Sequence, residues 1–124
     1  MIRGVGTDIC SVKRLERDLA RLGDGLARRI LHPDEWEDFA AHRFPARFLA
    51  KRFAAKEAVA KALGTGFRHG MGPRHIRIDH DAAGKPIVVL EGPAAHLLAR
   101  IEASVVHATI SDEKEYAVAF VVIE

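Results

Sequence analysis

Two acids and a lysine stand out for the chemistry their types and spacing permit. Asp8 sits in Gly4-Val5-Gly6-Thr7-Asp8-Ile9, near the end of a glycine-containing strand pattern. Glu57 and Lys61 lie one helical turn apart in Phe53-Ala54-Ala55-Lys56-Glu57-Ala58-Val59-Ala60-Lys61. Two carboxylates from separate elements can hold one Mg²⁺, an ion that takes one or two protein carboxylates and fills its shell with water and substrate phosphate. Lys61 then stands where an ammonium group meets a phosphate oxygen. The plainer readings are an Asp8 that caps a strand end and an ordinary i,i+4 ion pair worth about 0.3–0.5 kcal/mol.

Other chemistries find less support. The seven histidines show no metal-site spacing such as His-Glu-x-x-His, and no Gly-x-Ser-x-Gly occurs. Cys10 ends an apolar strand and reads as an inert buried thiol. Gly64-Thr65-Gly66 lets backbone amides approach a ligand, but glycine after a helix is commonly a C-cap. Gly84-Lys85-Pro86 alone reads as a hairpin turn. Arg14, Arg17 and Arg21 share one helical face, a stripe that docks an acidic helix or is simply solvated, with Asp18 partly neutralising it.

The elements that must position these residues follow from periodicity. Ile2–Ile9 predicts a strand with Gly4 and Gly6 on one face, which permits close approach of another backbone. Ser11 caps a helix over Val12–Leu22, with Val12, Leu15, Leu19 and Leu22 at helical spacing and Asp24-Gly25 ending it. Pro33 opens a second helix with Asp34 and Glu35 at its positive end. Pro45–Leu63 is the longest helical pattern. Phe48, Ala55, Val59 and Leu63 form one apolar face and Ala50, Phe53, Ala54 and Ala60 another. A helix apolar on two sides is central, which makes a purely solvated Glu57–Lys61 pair less natural. The second half reads as antiparallel hairpins: Arg74–Asp79 with Ile87–Leu90, then, after a short helix at Pro93–Glu102, Val105–Ile110 with Tyr116–Ile123. The last strand carries no charge and is expected to be covered on both faces, in so small a chain by another subunit. The expected class is α+β, one domain over residues 1–124.

Composition bounds the rest. Hydrophobic residues make up 48% and charged residues 29% of the 124 positions, which excludes disorder. One cysteine permits no disulfide within the chain and fits a reducing cytoplasm. No apolar run approaches a membrane span, and the opening residues lack a signal-peptide pattern. Net charge is +2, but residues 1–70 balance to +5 and residues 71–124 to −3, so the basic half suits an acidic partner or a phosphate-bearing ligand.

These residues together resemble the holo-(acyl-carrier-protein) synthases, the small bacterial 4′-phosphopantetheinyl transferases. Three blocks match in order: Gly4–Ile9 with Arg14 after it; Arg47–Ala58 through Lys61 and Gly64-Thr65-Gly66; and Ile110-Ser111 leading into Tyr116-Ala117-Val118-Ala119. Gly84-Lys85-Pro86 also fits, and the resemblance spans essentially the whole chain. It implies Mg²⁺-dependent transfer of phosphopantetheine from coenzyme A to a serine of apo acyl carrier protein, leaving adenosine 3′,5′-bisphosphate, within cytoplasmic fatty acid biosynthesis. By residue it implies Asp8 and Glu57 as Mg²⁺ ligands and Lys61 beside the coenzyme phosphates. It places Arg52, Gly64, Lys85 and Pro86 along the coenzyme site and Arg14 at the carrier. Arg21 joins Arg14 by its helical face. Glu57, directly or through a metal-bound water, is the expected acceptor of the serine proton. The resemblance further implies a homotrimer with sites between subunits.

Two positions depart from the family pattern. Asp112 stands where many members carry histidine after a Ser/Thr, and an aspartate is no proton donor at neutral pH unless its pKa is raised. Ala83 stands where a polar residue often precedes Gly-Lys-Pro. The competing class is a non-catalytic basic module that binds an acidic carrier protein. A nucleic-acid-binding module ranks lower, because 6% aromatic residues offer few stacking platforms.

Overall fold

A computed structural model describes residues 1–124. Strand β1 (Gly4–Ser11) is followed by helices α1 (Val12–Leu22), α2 (Asp24–Ile30), α3 (Trp36–Ala41) and α4 (Pro45–Ala62), with a 3₁₀ turn at Pro33–Glu35. A second 3₁₀ turn, Pro73–His75, precedes the hairpin β2 (Ile76–His80) and β3 (Pro86–Leu90). Helix α5 (Gly92–Arg100) leads to β4 (Val106–Asp112) and β5 (Tyr116–Ile123). Two antiparallel sheets result: β1-β5-β4, with β5 in the middle, and β2-β3. The α+β class holds.

The core forms where α4 lies along β1 and β5. Small residues bring them together. A Cβ on Gly6 would stand 2.0 Å from the Ala58 carbonyl oxygen, and one on Gly4 1.9 Å from that of Ala62. Ala54, Ala55, Ala58, Val59 and Ala60 of the helix are fully buried there. Asp8 continues the inward-facing series of Gly4 and Gly6 and so meets α4 lower down, beside Glu57.

The structure corrects several expectations. β1 starts at Gly4, because Ile2 is exposed and has no strand partner. Asp24-Gly25 does not end helicity: Gly23 makes the break at φ 62°, and Asp24 opens α2 with its charge at the positive helix end. Pro33 opens a 3₁₀ turn rather than the helix itself, and Glu35 at its end is 1% exposed. Strand β4 runs on to Asp112, where a turn was expected. The expectation for β5 is met on one face within a single chain, and the face it assigned to another subunit is open. Ala117, Ala119, Val121 and Ile123 are buried, while Tyr116, Val118 and Phe120 face outward beside Val5 and Ile9 of β1.

Buried charge is concentrated at one place. Glu35, Arg52 and Lys56 are the buried charged residues, and Glu35 pairs with both of the others. Burial pulls the Lys56 ammonium down to about 8, with Glu35 opposing, so it remains charged at neutral pH.

Candidate active site

The expected catalytic residues meet where β1 passes α4. Lys61 Nζ donates to Asp8 Oδ1 and to the Thr7 carbonyl, both at 2.9 Å. Lys61 therefore pairs across to the strand and makes no ion pair with Glu57 one turn away, unlike the ordinary helix-surface reading. The Glu57 carboxylate has no hydrogen-bond or ion-pair partner in the chain. Burial raises its pKa, the nearby Asp8 charge raises it further, and Lys61 and Arg14 oppose the shift. Two carboxylates are thus held close in a partly desolvated corner with one of them unpaired.

Arg14 and Cys10 complete this corner. Arg14 Nη2 donates to Cys10 Sγ at 3.6 Å, which draws the guanidinium toward the two acids while the residue stays exposed. Burial pushes the Cys10 thiol up, so it stays protonated and is no thiolate ligand. Arg21 lies 3.5 Å from Asp18, so Asp18 pairs with Arg21 and leaves Arg14 free of it.

The donor set suits a hard cation. Asp8 and Glu57 offer carboxylate oxygens, and no third His, Cys, Asp or Glu joins them. That pattern matches an ion that draws its remaining ligands from water and substrate phosphate, and it relieves the repulsion Glu57 feels from Asp8.

The expected coenzyme residues fall into two groups. At the C-terminal end of α4, Gly64 and Gly66 adopt φ of 85° and 61°, and with Lys61, Thr65 and Arg68 they line an open cavity of about 480 Å³. The other group lies on the far side. Arg52 is bonded to Glu35 and to the Ile78 carbonyl of β2, and it lines a cavity of about 370 Å³ with Lys51, His42 and His80. Pro86 pairs with His80 across the hairpin, and the Lys85 amide is fixed by the Asp81 carboxylate at 2.9 Å. Arg52 and Lys61 are nine residues apart on one helix, which separates them by about 13 Å along the axis and by roughly half a turn around it. One chain does not bring the two groups together.

Asp112 meets the N-terminal half of α4. Its carboxylate accepts from Arg47 Nη2 at 3.0 Å, with Lys51 Nζ at 3.9 Å, so it anchors two cations of α4. Ala83 sits in the turn with its amide on Asp81. Lys51, His42 and His80 were not evident as site residues, since they come from separate elements and follow no spacing. Burial lowers the His80 pKa and the charges of Arg52 and Lys51 lower it further, while Asp79 and Asp38, the latter also lining the cavity, oppose them.

Comparison with known proteins places the chain in a family. Residues 4–121 match the family model of the 4′-phosphopantetheinyl transferase superfamily. The chain is 50% identical to a holo-(acyl-carrier-protein) synthase of Vibrio cholerae over 124 residues, covering 100% of this chain and 98% of that one. Among solved structures, the holo-(acyl-carrier-protein) synthase of Neisseria meningitidis superposes with a TM-score of 0.92 at 48% identity, covering 100% and 99% of the two chains. A synthase from Bacillus anthracis in complex with CoA (3′,5′-ADP) superposes at 0.84 with 37% identity, covering 100% and 97%.

Proposed function

The chain belongs to the 4′-phosphopantetheinyl transferase superfamily, among its holo-(acyl-carrier-protein) synthases, and from that membership we propose how its residues divide the work. Coenzyme A is the donor and an apo acyl carrier protein the acceptor. The carrier serine oxygen attacks the phosphorus that bears pantetheine. The diphosphate P–O bond breaks, and adenosine 3′,5′-bisphosphate leaves with the bonding electrons. Glu57 takes the serine proton, since it is the one carboxylate of the corner that no group of the chain holds, and burial raises its pKa above the ordinary carboxylate value. Asp8 and Glu57 would hold Mg²⁺, which supplies charge neutralisation for the diphosphate. Lys61, already oriented by Asp8 and the Thr7 carbonyl, meets the phosphate whose charge grows as the bond breaks. Gly64 lets the backbone approach the same end of the coenzyme. Arg14 and Arg21 face the carrier, with Arg14 nearer the reacting corner.

Arg52, Lys85 and Pro86 complete the coenzyme site from a second copy. Their separation from Lys61 around α4 supports this, and so does the outward face of β1 and β5. Val5, Ile9, Tyr116, Val118 and Phe120 form an apolar sheet surface that solvent alone covers in one chain. A homotrimer buries it and sets one copy's Arg52 side against the next copy's Glu57 side.

The observation that carries the reading is the convergence of Asp8, Glu57 and Lys61 on one side of α4. Intact-mass spectrometry of an apo acyl carrier protein with this protein, coenzyme A and Mg²⁺ tests it. The expected result is a gain of one phosphopantetheine that EDTA abolishes. Carrier binding without any gain in mass would favour the non-catalytic reading.

A further inference from the structure

We infer that Glu35 is a positioning residue for the transfer: it holds Arg52 so that the free edge of its guanidinium faces the coenzyme. The inference rests on Arg52 belonging to the coenzyme site, as proposed above.

Glu35 is 1% exposed and accepts from four donors. Its Oε2 takes Arg52 Nη1 at 2.8 Å and the Ile78 amide at 3.2 Å. Its Oε1 takes the His32 amide at 2.8 Å and the Lys56 ammonium. The carboxylate therefore ties the turn before α3 to α4 and to β2. Lys56 is held in addition by the Ile30 carbonyl at 2.7 Å.

Arg52 is fixed on one edge and open on the other. Nη1 is spent on Glu35 and on the Ile78 carbonyl at 2.9 Å, and the Phe48 ring lies 4.5 Å from the guanidinium carbon. Nε and Nη2 have no partner in the chain. The one buried side-chain nitrogen or oxygen left without a partner is Arg77 Nε. The free edge of Arg52 therefore reaches the cavity it shares with Lys51, His42 and His80. A ligand phosphate there meets donors whose rotamer entropy is already spent in the fold.

The charge count points the same way. One carboxylate serves two buried cations, so the cluster keeps an excess positive charge. Stability alone gives no reason for this, since buried ion pairs replaced by apolar groups are often as stable. Of the cluster, Arg52 is felt in the cavity: with Lys51 it disfavours the protonated form of His80, against Asp79 and Asp38.

Steady-state kinetics of full-length Glu35→Gln, Arg52→Ala and the double variant test the inference. Glu35→Gln is expected to raise the coenzyme KM about 10-fold, the scale of one charge-assisted hydrogen bond, and to leave kcat and the carrier KM within about twofold. Arg52→Ala raises the coenzyme KM at least as much, and adding Glu35→Gln to it changes nothing further. If Glu35→Gln does not fold, Glu35→Asp keeps the charge but withdraws it by one methylene, and the same coenzyme-selective rise is expected. An unchanged coenzyme KM in Arg52→Ala would overturn Arg52's place at the coenzyme and this role with it. A raised KM in Arg52→Ala that Glu35→Gln multiplies again, or a fall in kcat with both KM values unmoved, would overturn the role of Glu35 alone.

Discussion

Glu57 is poised for reaction at some cost to the fold. Its carboxylate is partly desolvated, unpaired and close to Asp8, and its pKa is raised by burial first and by Asp8 second. A folded-state pKa above the unfolded one means the folded state binds the proton more tightly. The group then favours folding below its unfolded pKa, and that contribution is lost as pH rises through the folded value. At pH 8 in EDTA, Glu57→Gln removes an ionised group the fold holds badly and should raise Tm. The same variant should lower kcat about 100-fold or more, the usual weight of a general base. Thermal melts paired with transfer rates check both; a Tm several degrees lower with kcat unchanged would remove Glu57 from the chemistry.

At the scale of elements, α4 and β1 hold the site together, and their contact depends on two glycines. Gly6→Ala puts a methyl group 2.0 Å from the Ala58 carbonyl oxygen, which forces the helix off the strand. Overpacking of this kind costs about 1–3 kcal/mol, so a Tm drop on the order of 10 °C is expected, with loss of transfer as Asp8 and Glu57 separate. Differential scanning calorimetry measures it, and an unchanged Tm would mean that the approach of α4 to β1 is looser than described. This contact was legible in the chain, because Gly4 and Gly6 alternate on one face and α4 is apolar on two sides. α2 was not, since Asp24-Gly25 reads as a breaker while the break lies at Gly23. Glu35 also hid: Pro33-Asp34-Glu35 looks like an exposed first turn, and only the packing of β2 against α4 buries it. The Lys61 contact to Asp8 was hidden for a similar reason, as helical spacing offers Glu57 as the nearer partner.

For the whole molecule, the two sides of α4 define two half-sites that face apart. Asp8, Glu57, Lys61 and Gly64 lie on one; Arg52 with the β2–β3 hairpin lies on the other. A cyclic assembly joins unlike surfaces of successive copies, so each copy gives a different half to each neighbour. The apolar outward face of β1 and β5 is the surface such an assembly would cover. The most direct test uses two damaged proteins. Glu57→Gln spoils one half-site and Arg52→Ala the other. Heterotrimers of the two, isolated by a separate affinity tag on each, contain one interface in three where an intact Glu57 half meets an intact Arg52 half. At sub-saturating coenzyme A they should regain about one third of the undamaged rate, far above either parent. A rate no higher than the mixture of the parents would contradict the shared site and place the whole reaction within a single chain.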